Sequence, residues 1–159
     1  MANKFDPALE KLKAKIFIET LSRLASNKIP YEYAISKIIW RLSLYLGTGS
    51  YIENWKYYPR ISDKALEIRS RGSLNWKKEL TFEHTEPLNQ IYAKFLNSPF
   101  EVELNHAAKM ICEYLPVIVT RYEERKITEH GFKTEGDPIK RFSHIACSFE
   151  LKSEPKVTF

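Results

Sequence analysis

The sequence predicts an α+β fold, predominantly helical with a small short-stranded sheet. Three observations carry that reading. Capping residues and prolines repeatedly mark helix starts, and glycines mark their ends. Two short stretches, Leu80–His84 and Val117–Thr120, have the alternation or β-branched content of strands. The 159 residues are 43% apolar and 13% aromatic, enough to bury a core and to exclude wholesale disorder. The length suits one domain, 1–159, with a basic helical half over 1–75 and a mixed half over 76–159.

Asp6-Pro7 opens the first helix, because Asp accepts from free N–H groups and Pro sits where no donor is needed. Leu9, Leu12, Ile16, Ile18, Leu21 and Leu24 continue it to about residue 26. A second helix starts at Pro30 and runs to Leu46, with Gly47 as the stop and Gly47-Thr48-Gly49-Ser50 as a tight turn. Ser62 caps a short helix over 63–70, closed by Gly72. Leu80–His84 reads as a strand, and Pro87 opens a helix carrying Leu88, Ile91, Tyr92 and Phe95. Ser98-Pro99-Phe100-Glu101 has the form of a capping box for a helix ending at Pro116. Thr120-Arg121-Tyr122-Glu123 is a second capping box, for a helix that stops at Gly131. Residues 132–140 read as loop, and His144–Leu151 as a last strand, with one helical turn over 139–145 as the alternative.

No apolar run approaches the ~20 residues of a membrane span, so no membrane role is expected. The opening residues lack the apolar block of a secretory leader, and a cytoplasmic address is the expectation. Cys112 and Cys147 form no CxxC pair and read as small apolar residues.

The net charge of +5 is uneven. Residues 1–80 carry 15 Lys and Arg against 8 Asp and Glu, and residues 81–159 carry 10 against 12. The densest basic stretch, 56–78, holds Lys56, Arg60, Lys64, Arg69, Arg71, Lys77 and Lys78 against Asp63 and Glu67, interleaved with Trp55, Tyr57, Tyr58 and Trp76. Cations beside aromatics suit a polyanion with stackable bases, so Lys56, Arg60, Arg69, Arg71, Lys77 and Lys78 are candidate contacts to DNA or RNA phosphates.

The most chemical segment is Phe82-Glu83-His84-Thr85-Glu86-Pro87. An acid-His pair ending a strand, with Pro three residues on, resembles the start of the HNH-type, or ββα-metal, nuclease motif. That resemblance implies a metal-dependent endonuclease. His84 would be the general base that activates water, with Glu83 beside it, and a divalent cation (Mg or Mn) would neutralise the scissile phosphate. The spacing of later family members falls on Asn97, 13 residues after His84, and on His106, nine further on. These two are candidate metal residues. Glu124 is a third candidate, since it would face His84 if the two strands pair. The plainer alternatives are a strand-end histidine, a helix-end Asn97 and a solvated Glu124. A shorter pattern, Asp137 followed by Glu150-Leu151-Lys152, resembles the restriction-type nuclease signature, and charged alternation explains it as well.

Two other readings follow. The chain would be a non-catalytic module for a protein partner, of the inhibitor, immunity or phage and defence accessory kind, with Trp55–Arg60 as anchors. Or it would bind nucleic acid without cleaving it. The surroundings of His84 discriminate between these readings and the nuclease.

Overall fold

The computed structural model describes residues 6–51, 55–72, 75–98, 102–133 and 135–159. The fold is α+β and mostly helical, as the sequence predicts. The chain divides into two compact units, each assembled from separated stretches: 1–52, 89–113 and 154–159 form the first, and 53–88 and 114–153 the second. The boundary read in the sequence at 75/76 therefore falls inside the second unit.

The first unit is helical. α1 (Pro7–Ser26) starts where predicted, with the Asp6 carboxylate accepting from the amides of Ala8 and Leu9. α2 (Tyr33–Thr48) starts three residues later than Pro30. Lys28 takes a left-handed turn (φ 55°) and Glu32 is still extended, so no helical geometry is available before Tyr33. Gly47 stays inside the helix. The stop is Gly49, whose φ of 79° lets its amide reach back to the Tyr45 carbonyl at 2.6 Å. α5 (Leu88–Leu96) follows Pro87, and α6 (Leu104–Cys112) is capped by Glu103, whose carboxylate accepts from Asn105 and His106. Residues 99–101 of the Ser98–Glu101 capping box lie outside the described residues. α1, α2 and α6 pack mutually over Ile18, Leu21, Ile39, Leu42 and Ile111. The C-terminus closes on α6, where the Asn105 side-chain amide exchanges two hydrogen bonds with the Phe159 backbone.

The second unit is built on two antiparallel strands, β1 (Leu80–His84) and β2 (Pro116–Thr120), in a register that sets Leu80 against Thr120 and His84 against Pro116. β2 is buried along its whole length and Ile61 bridges onto Ile118 from its other side. α3 (Asp63–Ser70) is capped by Ser62 as predicted and packs on β2. One turn of helix that the sequence does not announce, α4 (Trp76–Glu79), runs directly into β1. α7 (Arg121–Glu129) carries the predicted capping box in full and packs on both strands. α8 (Pro138–Arg141) is a single turn with Asp137 as its cap. Val117, Val119, Ile127, Phe142 and Ile145 form the core cluster here.

The last strand expected over 144–151 is not formed; the chain runs there as turns and bends. Side chains from elsewhere in the unit hold it in place of a strand partner. The Arg60 guanidinium donates to the carbonyls of Glu150 and Leu151 at 3.1 and 2.6 Å, and the Asp63 carboxylate accepts from Ser148 Oγ. A side chain supplies the donors that a neighbouring strand would supply. Among the described residues, no helix is long and apolar enough to cross a membrane.

Candidate nucleic-acid interface

Glu83 and His84 sit where the sequence puts them, at the end of β1. Their partner is Arg141 of α8, which is 1% exposed. Arg141 Nη2 donates to Glu83 Oε1 at 2.7 Å and to the His84 carbonyl at 3.1 Å. Burial pushes the Glu83 carboxyl up to about 7, opposed by Arg141 and reinforced by Glu124. Burial, and then repulsion from Arg141, holds the His84 ring down to about 3. A general base works best with a pKa near the working pH, and an imidazole titrating near 3 is a weak one.

The other candidate metal residues do not complete a site around this pair. Asn97 and His106 belong to the other unit, at the end of α5 and on the exposed start of α6. Glu124, on α7, comes close enough to Glu83 to raise its carboxyl, but among the described residues no third ligand joins them. Its carboxylate also reaches Arg121, at 3.9 Å. Among the described residues no three His, Cys, Asp or Glu side chains group as metal ligands. The residues around His84 therefore do not fit Mg or Mn: the acid is held by a guanidinium and the imidazole lies next to a cation. The second nuclease-like pattern dissolves in the same way, because Asp137 caps α8 and Lys152 forms an isolated bridge to Tyr114.

The remaining motif residues hold structure. Glu123, 3% exposed, accepts from Ser62 Oγ and from the Thr120 amide at 2.7 and 2.8 Å. His130 caps the end of α7 with Nδ1 2.6 Å from the Lys126 carbonyl oxygen, and its ring stacks on His144. Burial raises both cysteine thiols, Cys147 to about 11.

The predicted phosphate contacts divide into two groups. Arg60 is drawn inside as described. Arg69 donates to the carbonyls of Trp55 and Tyr58 at 3.1 and 2.9 Å, fastening the loop ahead of α3. Three of the four aromatics of this stretch are engaged as well: Trp55 and Tyr58 meet Phe82 edge-on at 4.5 and 4.9 Å, and Trp55 also meets Trp76, while Tyr57 stays 70% exposed. Lys56 lies over its neighbour Tyr57, and Lys77 over Trp76. Arg71 and Lys78 stay exposed, and they come together.

Their meeting place is a groove of about 590 Å³ between α3, α4 and the start of α7. Arg71 and Lys78 line it with Lys64, Arg121 and Arg125, around the ring of Tyr122. Arg121 Nε donates to the Lys78 carbonyl at 2.9 Å and ties α7 to α4. Tyr122 is 56% exposed, with Lys64 Nζ and Lys126 Nζ at 5.7 and 5.6 Å from its ring centre. Two carboxylates, Glu67 and Glu79, also line the groove. Charge counted along the chain does not single out Arg121, Tyr122 and Arg125, because they belong to the half with net charge −2. The usable signal is local: two arginines and a tyrosine on the solvent side of a capped helix start.

Comparison with protein-family models, with curated proteins and with solved structures returns no match.

Proposed function

We propose that the protein binds nucleic acid through the groove of its second unit. One observation carries this reading: five cations from three separate elements line a single recess around an exposed aromatic ring. Phosphate diesters are the common biological polyanion that carries stackable groups, and such an arrangement serves both parts. Lys64 and Arg71 come from α3 and its end, Lys78 from α4, and Arg121 and Arg125 from α7. Each is exposed, so each meets a phosphate without loss of a buried partner. The buried Glu83–Arg141 pair has a separate task, holding α8 on the sheet.

The test is anisotropy of a labelled oligonucleotide at graded salt. The logarithm of the affinity should fall linearly with the logarithm of salt. Arg71→Glu and Lys78→Glu should each weaken binding and make the slope shallower by about 0.7–0.9 for each phosphate no longer neutralised. Arg60→Lys should leave the slope as it is, since Arg60 is engaged with Glu150 and Leu151. Binding that ignores both salt and the two charge reversals would sink the reading.

A further inference from the structure

We infer that the groove takes a single strand, with an unpaired base stacked on Tyr122; this rests on the nucleic-acid reading above.

The ring is the first reason. Tyr122 is the second residue of α7, held there by the Thr120–Glu123 capping box, and stands 56% exposed. Of the aromatics near the basic stretch, Trp55, Tyr58 and Trp76 are packed in ring contacts. Tyr57 is exposed with Lys56 over it but does not line the groove, whereas Tyr122 lines the groove and has two ammonium groups by its ring. An exposed ring flanked by cations offers a base a face to stack on and the attached phosphates a charge to meet. In a duplex the faces of the bases are already stacked on each other, so this ring would have nothing to bind.

Size is the second reason. A recess of about 590 Å³ is in the range of sites that enclose small-molecule-sized groups, about 300–1,000 Å³. That volume matches one base with its sugar and phosphate better than the long, flat track along which a double helix lies.

The third reason is the pair of carboxylates, Glu67 and Glu79, among the cations. Against a rigid ridge of duplex phosphates they are repulsive. Against a splayed strand they can accept from exocyclic amino groups of bases, the donors that carboxylates read in nucleic acids. The groove therefore alternates phosphate-seeking and base-edge-seeking groups, which suits a chain that presents both. Stacking itself accepts every base, so little sequence preference is expected from Tyr122.

The test uses the full chain and three probes at matched salt: an oligodeoxycytidine of about 12 nucleotides, whose bases carry the amino donor, within the ~4–16 nucleotide site sizes of single-strand binders; a duplex of the same length; and deoxycytidine monophosphate. The single strand should bind at least about tenfold more tightly than the duplex, and the monophosphate far more weakly than either. Tyr122→Ala should lose roughly 5- to 100-fold for the single strand, the equivalent of one stacked base, with the salt slope unchanged. Tyr122→Phe, which keeps the stacking face, should recover that loss. If the duplex binds as well as the single strand and Tyr122→Ala is neutral, while Arg71→Glu and Lys78→Glu still weaken binding, this inference falls and the nucleic-acid reading stands. Monophosphate binding as tight as the oligonucleotide would also overturn it, in favour of a small-molecule site. If none of the probes binds, both fall.

Discussion

The two units bury different chemistry. In the first, the described buried residues are apolar apart from Ser22 and Ser43. In the second, Ser62, His84, Thr85, Glu86, Thr120, Glu123 and Arg141 are all buried. Size explains the contrast. Helices that pack mutually can cover each other with leucine and isoleucine, while a two-stranded sheet offers too little surface to do the same. The second unit fixes its short elements with caps, a buried ion pair and side-chain bonds to carbonyls. The lesson for function is that its conspicuous acid, histidine and arginines lie inward. The groups available to a ligand are the plainer lysines and arginines around the groove.

The largest expected break in this comparison is Arg141→Met. It leaves the Glu83 carboxylate without its guanidinium, and stranding one partner of a buried pair costs about 3–5 kcal/mol. Ile39→Ala in the first unit should cost a similar ~2–5 kcal/mol through its cavity. The two losses separate by pH. Glu83 titrates near 7 in the fold against an ordinary value of 4.5. The folded state thus favours its neutral form, and that contribution to stability is lost as pH rises through 7. Removing Arg141 raises the carboxyl further, so the deficit of Arg141→Met should be larger at pH 8.5 than at pH 6. The deficit of Ile39→Ala should not change. Urea unfolding of both variants at the two pH values reads this directly, and a pH-independent Arg141→Met would mean the pair is not what holds α8.

A smaller effect comes from His84. Its ring titrates near 3 in the fold and ordinarily at 6.5. The unfolded chain takes up a proton below 6.5 while the fold does not, so wild-type stability falls as the pH drops from 6.5 towards 3, at about 1.4 kcal/mol per pH unit. His84→Gln carries no such cost. The stability gap between the two proteins should narrow by about 2–3 kcal/mol between pH 7 and 4.5. The opposing trend from Glu83, whose neutral form gains stability over that range, is common to both and cancels in the difference. A gap that stays constant would mean that the ring meets solvent in the native state, and would reopen His84 as a candidate base.

The same contrast accounts for what the sequence discloses. Local signals are legible: Asp6, Ser62 and Thr120 cap the helices they are expected to cap, and both strands lie within a residue of their expected bounds. These are short-range events, decided by a few neighbouring side chains. Partner choice is not legible. Nothing in the spacing of Glu83 and Arg141 reveals that residues 58 apart form an ion pair, or that Arg60 replaces a strand at 150–151. The groove is half visible, through Arg71 and Lys78, and half hidden, because Arg121, Tyr122 and Arg125 reach it only after β1 and β2 pair. Charge counted by halves misleads in the same way. By unit, the first carries 11 Lys and Arg against 8 acids, and the second 14 against 12. The excess is nearly even, and its arrangement on the surface matters more than its sum.

The smallest expected effect tests whether the second unit depends on its polar interior more than the first. Both α1 and α7 begin with a side-chain cap, and the two caps differ in surroundings. Asp6 is exposed and serves the amides of Ala8 and Leu9. Thr120 is 7% exposed; its Oγ1 accepts from the Glu123 amide, and the Glu123 carboxylate accepts in turn from the Thr120 amide and from Ser62. Asp6→Ala should cost about 0.5–1 kcal/mol, since water replaces the missing acceptor at an open helix end. Thr120→Ala should cost about 1–2 kcal/mol, because the Glu123 amide is left buried without its partner. Denaturation midpoints of the two variants decide the matter. Equal losses would mean that water reaches the start of α7 as readily as that of α1, and the interior caps of the second unit would then be no stronger a constraint than surface ones.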